Sequence, residues 1–349
     1  MLNQYSRRLV SIASAGTLAL TLASCAGGGN QQATEGGGEG SQLSGSVSID
    51  GSSTVFPITE AMAEEFQKKY NDVRVTVGVS GTGGGFEKFC NGETDISDAS
   101  RPIKQSEIQK CNEAGINFIE IPVAFDGISV VKNPNNDWAS CLTTQELEQI
   151  WRPEAANKVD NWQDIRSSFP DQELSLYGPG TDSGTFDYFT EVIVGEEGAS
   201  RGDYQASEDD NVIVQGVSNA KGALGYLGLA YYTENKDKMD AIKVNDQNAQ
   251  NGEGCIAPSD KTVSEGTYQP LSRPLFIYVK QSAAENKPQV RKFVQFYMDS
   301  ANRNLISEVG YVPLTDSLYQ QALKRFENSK TGTMFEGGST AGVKLKEVL

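Results

Sequence analysis

Apolar positions divide the chain into three stretches. Residues 9–22 are apolar apart from small Ser, Thr and Gly, and Arg7 and Arg8 precede them without an acid. A basic start, a short apolar run and small residues before a break describe a secretory signal over 1–24, too short for a comfortable transmembrane helix. Residues 25–45 show no apolar period. Their Gly runs, Asn-Gln-Gln and scattered Glu make a flexible tether.

From Ser46 the pattern is that of a folded protein. Strand patterns fall at 47–49, 73–79, around Ile96, and at 118–122, 128–131, 174–177, 223–226, 242–244 and 275–279. Helical patterns fall at 58–70, 86–91, 106–114, 143–151, 184–194, 209–220, 288–299, 302–309 and 316–327. Pro57 suits the first turn of the first helix, and Ser106 suits the cap of the third. Strands alternating with helices predict an α/β protein with mostly parallel sheets. Two lobes are expected, 46–123 plus 265–349 and 124–264, with the apolar runs 119–131 and 273–279 crossing between them.

Charge narrows the function. Lys+Arg 30 against Asp+Glu 46 gives −16, and loss of Arg7 and Arg8 with the signal leaves 28 − 46, or −18. Nucleic acid as a partner is excluded, because phosphate backbones need clustered Lys and Arg. The chain has no histidine, which removes Ser-His-Asp and Cys-His catalysis and His-ligated metals. No cofactor and no metal are called for.

Of five cysteines, Cys25 follows Leu22-Ala23-Ser24. That stretch resembles the bacterial lipoprotein lipobox, which implies cleavage before Cys25, lipid on its sulfur and a membrane contact. Cys90, Cys111, Cys141 and Cys255 form an even set for an oxidising compartment, and their spacing matches no zinc pattern. Three pairings are open. Cys90–Cys111 is favoured because both flank the ends of neighbouring helices, which leaves Cys141–Cys255.

Four strand-to-helix turns carry the candidate chemistry. Asp50-Gly51-Ser52-Ser53-Thr54-Val55-Phe56-Pro57 offers three hydroxyls and free amides at a positive helix end. Ser80-Gly81-Thr82-Gly83-Gly84-Gly85 lets backbone amides approach a ligand closely. Asp95–Pro102 brings hydroxyls, carboxylates and Arg101, whose guanidinium can fork onto an oxyanion. Gly180-Thr181-Asp182-Ser183-Gly184-Thr185 is the fourth. Any one of these turns is an ordinary helix cap. Four in one α/β chain can converge, since ligands of open sheets sit beyond the carboxyl ends of strands. No Walker Lys follows the Gly runs, so a nucleotide is not indicated. Asp98 or Asp182 beside such donors suits an oxyanion that keeps a proton, as phosphate does and sulfate does not.

These stretches, with Lys221-Gly222-Ala223-Leu224-Gly225-Tyr226 and Arg273-Pro274-Leu275, resemble the phosphate-binding proteins of bacterial high-affinity phosphate ABC transporters, the PstS family. The resemblance implies a two-lobed class II periplasmic-binding-protein fold with a two-strand hinge and an interlobe ligand cleft. It also implies a non-enzymatic, periplasmic or extracytoplasmic monomer that captures inorganic phosphate and passes it to a membrane permease. By motif, the ligands would be Ser53, Thr54, Val55 through its amide, Ser80, Thr82, Ser100, Arg101, Ser183, Gly184 and Thr185, with Asp98 or Asp182 as the carboxylate acceptor. Where some members carry an Arg before the Ser-Gly-Thr turn, this chain reads Tyr177-Gly178-Pro179-Gly180, which leaves Arg101 as the sole cationic ligand. The acidic segment 196–210 reads as a surface insertion. Two alternatives are a binder of another tetrahedral oxyanion, sulfate or molybdate, and a phosphate-ester hydrolase.

Overall fold

The computed structural model describes residues 43–335 and 344–349, so the signal, Cys25 and the tether up to residue 42 lie outside the described residues. The strands are β1 (Gly45–Gly51), β2 (Val73–Val79), β3 (Ile96–Ala99), β4 (Phe118–Lys132), β5 (Cys141–Thr143), β6 (Ser175–Gly178), β7 (Gln205–Ala206), β8 (Ala223–Gly228), β9 (Asp240–Ala241), β10 (Lys243–Asn245), β11 (Ser272–Lys280) and β12 (Val312–Pro313). The main sheet runs β2-β1-β3-β11-β4-β8-β6-β7, with β9 and β12 added on β4.

Its wings and its centre differ. β1 is parallel to β2 and β3, and β6 is parallel to β7 and β8. The centre is antiparallel, because β4 and β11 run through it in opposite directions and pair with each other. The expectation of mostly parallel sheets therefore holds for the wings alone. The first half of β4 pairs with β11 and the second half with β8, so one strand leaves the first wing and β11 brings the chain back. The fold is two-lobed α/β, with the crossing pair where the apolar runs placed it.

The sequence pattern split β4 into 118–122 and 128–131, with a break after Pro122, yet the structure has one strand, buried along its whole length. Proline removes one ladder donor. The register slips at that point, with Phe276 opposite Pro122 and Leu275 opposite Ala124, and the extra residue absorbs the defect.

The helices before the site are α1 (Phe56–Lys69), α2 (Gly81–Cys90), α3 (Gln105–Glu113) and α4 (Thr144–Trp151). Helix α2 begins at Gly81 rather than at Phe86, so the Gly run is its first turn. Gly85 makes this possible: a Cβ there would lie 2.5 Å from the Cα of Gly51 on β1. Helix α3 is capped at Lys104, not by Ser106, because the Glu107 carboxylate reaches back to accept the Lys104 amide at 2.7 Å.

Aromatic side chains fill each wing. Phe66 packs edge-on against Phe293 and Phe296 in the first, and Phe189 stacks on Tyr226 at 3.8 Å in the second. Cys90–Cys111 ties the end of α2 to α3, and Cys141–Cys255 ties β5 to the loop after β10, the pairing the sequence favoured. A bridge closing loops of this size typically contributes about 2–4 kcal/mol.

Candidate functional site

Because β1, β2 and β3 are parallel, their carboxyl ends share one edge, and three of the four predicted loops leave from it. The fourth comes from the other wing, where β6 leads into the helix Gly184–Phe189. They meet around a cavity of about 260 Å³. One wall is Ser52, Ser53 and Thr54; a second is Gly81, Thr82 and Gly83; a third is Ser100, Arg101 and Lys104. The opposite wall is Gly184 with Asp187, Glu191 and Glu197, and Arg273 closes one side.

The hydroxyls are held in place by one another. Thr82 Oγ1 lies 3.1 Å from Ser100 Oγ and accepts the Ser100 amide at 3.2 Å. Ser52 Oγ accepts the Thr54 amide at 3.2 Å. The two wings touch where Gly184 faces Thr54: a Cβ on Gly184 would lie 2.1 Å from Thr54 Oγ1. Only glycine permits that approach.

Arg273 joins the two wings at the cavity. Its Nη2 is 3.4 Å from Thr54 Oγ1 on one wing and 3.4 Å from the Gly184 carbonyl on the other. It pairs with Asp126 at 3.3 Å, its register partner on β4, and its guanidinium lies 3.9 Å over the Tyr188 ring. Both members of the pair are buried. Burial pushes the Asp126 carboxyl above the usual carboxylate range, and Arg273 opposes it. Arg101 is committed differently, with Nη1 and Nη2 each 2.9 Å from a Glu107 oxygen.

Of the twelve residues the sequence proposed, Ser53, Thr54, Thr82, Ser100, Arg101 and Gly184 line the cavity. The other six do not. The Val55 side chain is in the core, which leaves only its amide near the loop. Ser80 Oγ donates to the Asp50 carboxylate. Ser183 Oγ caps its own helix by accepting the Thr185 amide at 3.2 Å, and both residues are half-buried. Asp182 is exposed, with its amide on Glu208. Asp98 is fully buried beneath the loops.

Three placements differ from those the sequence suggested. Arg101, expected as the sole cationic ligand, shares the cavity with Lys104 and Arg273. Among the described residues, Asp187, Glu191 and Glu197 are the carboxylates that line the cavity, and Asp98 and Asp182 are not part of its lining. The segment 196–210 is not merely a surface insertion. Glu197 reaches the cavity, β7 joins the sheet, and buried Arg201 donates to the carbonyls of Ile150 and Val159. Burial raises the Asp187 pKa first, then the negative charge of Glu197, with Arg273 opposing and Glu191 adding.

A family model described as a PBP superfamily domain matches residues 35–301. Protein SphX of Synechococcus elongatus is 52% identical over 303 residues, 87% of this chain and 88% of that protein. Phosphate-binding protein PstS of Staphylococcus saprophyticus is 37% identical over 311 residues, 88% of this chain and 91% of that protein. The crystal structure of a possible phosphate binding protein from Planctomyces limnophilus has a TM-score of 0.75 and 43% identity, covering 82% of this chain and 99% of that one. Fold and site thus define a two-lobed binding protein of the PBP superfamily. Within that superfamily, the chain belongs to the PstS family.

Proposed function

We propose that this protein captures inorganic phosphate in its cleft and delivers it to an ABC permease. The observation that carries the reading is the convergence of four loops and Arg273, from both wings, on one small polar cavity. With −18 on the mature chain, the global field repels an anion, so attraction must come from local donors. Thr54, Thr82, Ser100, the helix-start amides and the guanidinium of Arg273 supply them. Val55 contributes only its amide, while Ser80, Ser183 and Thr185 hold the loops in shape.

The lobe boundaries that fit this reading are 46–123 plus 265–349 and 124–264, with β4 and β11 as the hinge pair. The protein acts as an extracytoplasmic monomer and not as an enzyme. Calorimetry of the mature chain should show one phosphate site and weak or absent sulfate binding, with no turnover of p-nitrophenyl phosphate. Sulfate or molybdate bound as tightly as phosphate would transfer the assignment to that oxyanion, and ester turnover would transfer it to a hydrolase.

Anchoring by lipid on Cys25 has its own support in the Leu22-Ala23-Ser24-Cys25 motif, and no described helix is long and apolar enough to cross a membrane. Cys25→Ser should leave the precursor uncleaved or move the protein out of the membrane fraction. Unchanged processing and fractionation would refute the anchor.

A further inference from the structure

Asp98 sits on β3 with no solvent exposure; among the described residues neither carboxylate oxygen has a well-formed hydrogen bond, and the Thr59 hydroxyl is the side-chain donor that acts on it. Its strand carries two walls of the cleft. The Asp98 carbonyl accepts the Ser52 amide at 3.0 Å, and a Cβ on Gly51 would lie 2.1 Å from the same oxygen. Two residues further on, Ser100 meets Thr82.

Around the carboxyl, α1 presents Thr59 and the helix Pro288–Tyr297 presents Tyr297, with Thr59 Oγ1 and the Tyr297 hydroxyl 3.1 Å apart. Tyr319, on the helix Asp316–Glu327, adds to the rise in the Tyr297 pKa, which burial dominates. The Tyr319 hydroxyl is buried, with no hydrogen-bond partner among the described residues, at a surface groove of about 670 Å³, which Tyr70 and Phe296 also line. The charged group that acts on Asp98 is Asp50 of β1, whose own carboxylate is held by Lys88 at 2.7 Å and by Ser80. Burial raises the Asp98 pKa to about 8, Thr59 opposes this and Asp50 adds to it.

We propose that Asp98 is a positioning residue of the cleft, kept as a neutral acid, and that loss of its proton loosens the Ser52 and Ser100 loops and weakens phosphate binding. This rests on the phosphate reading. An ionised Asp98 is a buried anion with no cation to meet it, a state that proteins avoid. The relief open to it is a tighter approach to the Thr59 hydroxyl or entry of water. Either moves β3, and β3 holds Ser52 by its backbone. Linkage makes the effect reciprocal: phosphate tightens the proton on Asp98 by the factor that deprotonation weakens phosphate.

Phosphate affinity is measured by calorimetry from pH 7 to 9.5 for the wild type and Asp98→Asn. The titration of phosphate itself cancels in the ratio. The wild type should lose about tenfold relative to the variant, the equivalent of one pKa unit. Infrared titration of the wild type gives a second readout that needs no variant: the protonated-carboxyl band should persist to higher pH when phosphate is bound. Parallel affinity profiles, or a band midpoint indifferent to phosphate, overturn this role alone. No phosphate binding by the wild type at pH 7 overturns it together with the phosphate reading.

Discussion

Arg273→Ala should abolish phosphate binding and cost about 3–5 kcal/mol of stability, the usual penalty for removing one partner of a buried ion pair. The first effect follows from its contacts with both Thr54 and Gly184, which make it the side chain that joins the two wings at the cavity. The second follows from Asp126, which is left buried without its cation. The sign with pH is fixed. Burial already raises the Asp126 pKa above its unfolded value, and removing Arg273 raises it further. Such a group gives its stability below the unfolded carboxylate pKa and loses it as pH rises towards the folded one. The deficit of Arg273→Ala should therefore shrink on acidification. Arg273→Met with Asp126→Leu should recover much of the stability, since apolar replacement of a buried pair is often neutral or better. That double variant should still fail to bind. Urea denaturation and calorimetry separate the two effects, and tight phosphate binding by the double variant would remove Arg273 from the site.

Arg273 also shows where sequence reading stops. Alternation of strand and helix patterns gave the α/β class, the crossing strands and the four loops, because each depends on local periodicity and turn chemistry. Residues 73–79 form the strand as read. Orientation within a loop is not local. Thr82 and Ser80 look alike in sequence, but only Thr82 faces the cavity, because Asp50 captures Ser80 from the neighbouring strand. Asp98 and Asp182 stand beside oxyanion donors in sequence, yet one strand alternation and one exposed turn take them away from the cavity. Arg273 and Asp126 did carry a readable signal: each is a charge within an otherwise apolar strand, and buried charges are paired. Their register could not be read, because it depends on how β4 and β11 align across a separation of 147 residues. Glu191 follows Asp187 by one helical turn on the element after the fourth loop, a spacing that places both on one face.

Asp187→Asn should erode selectivity for phosphate over sulfate by about ten- to hundredfold, the worth of a hydrogen bond to a charged group. The donors of the cleft, Thr54, Thr82, Ser100 and Arg273, treat the two anions alike, since both are tetrahedral oxyanions. Discrimination needs a group that responds to the proton phosphate keeps. Asp187 faces the cavity, and burial together with Glu197 and Glu191 raises its pKa while Arg273 holds it down. Ionised, it accepts from a phosphate P–OH. Against sulfate the same carboxylate meets a bare oxygen, repels it and stays unpaired. A site built around a substrate hydroxyl can reject an analogue without it by about 10⁴–10⁵-fold, so one carboxylate has room to act on this scale. Asparagine can turn its amide N–H towards a sulfate oxygen, and sulfate binding should rise while phosphate binding falls. Asp182→Asn, on an exposed residue outside the cavity, should leave the ratio as it was. Competition calorimetry with the two anions reads both variants. An unchanged ratio for Asp187→Asn, or an equal loss for Asp182→Asn, would show that the proton is not read at the wall formed by Asp187, Glu191 and Glu197.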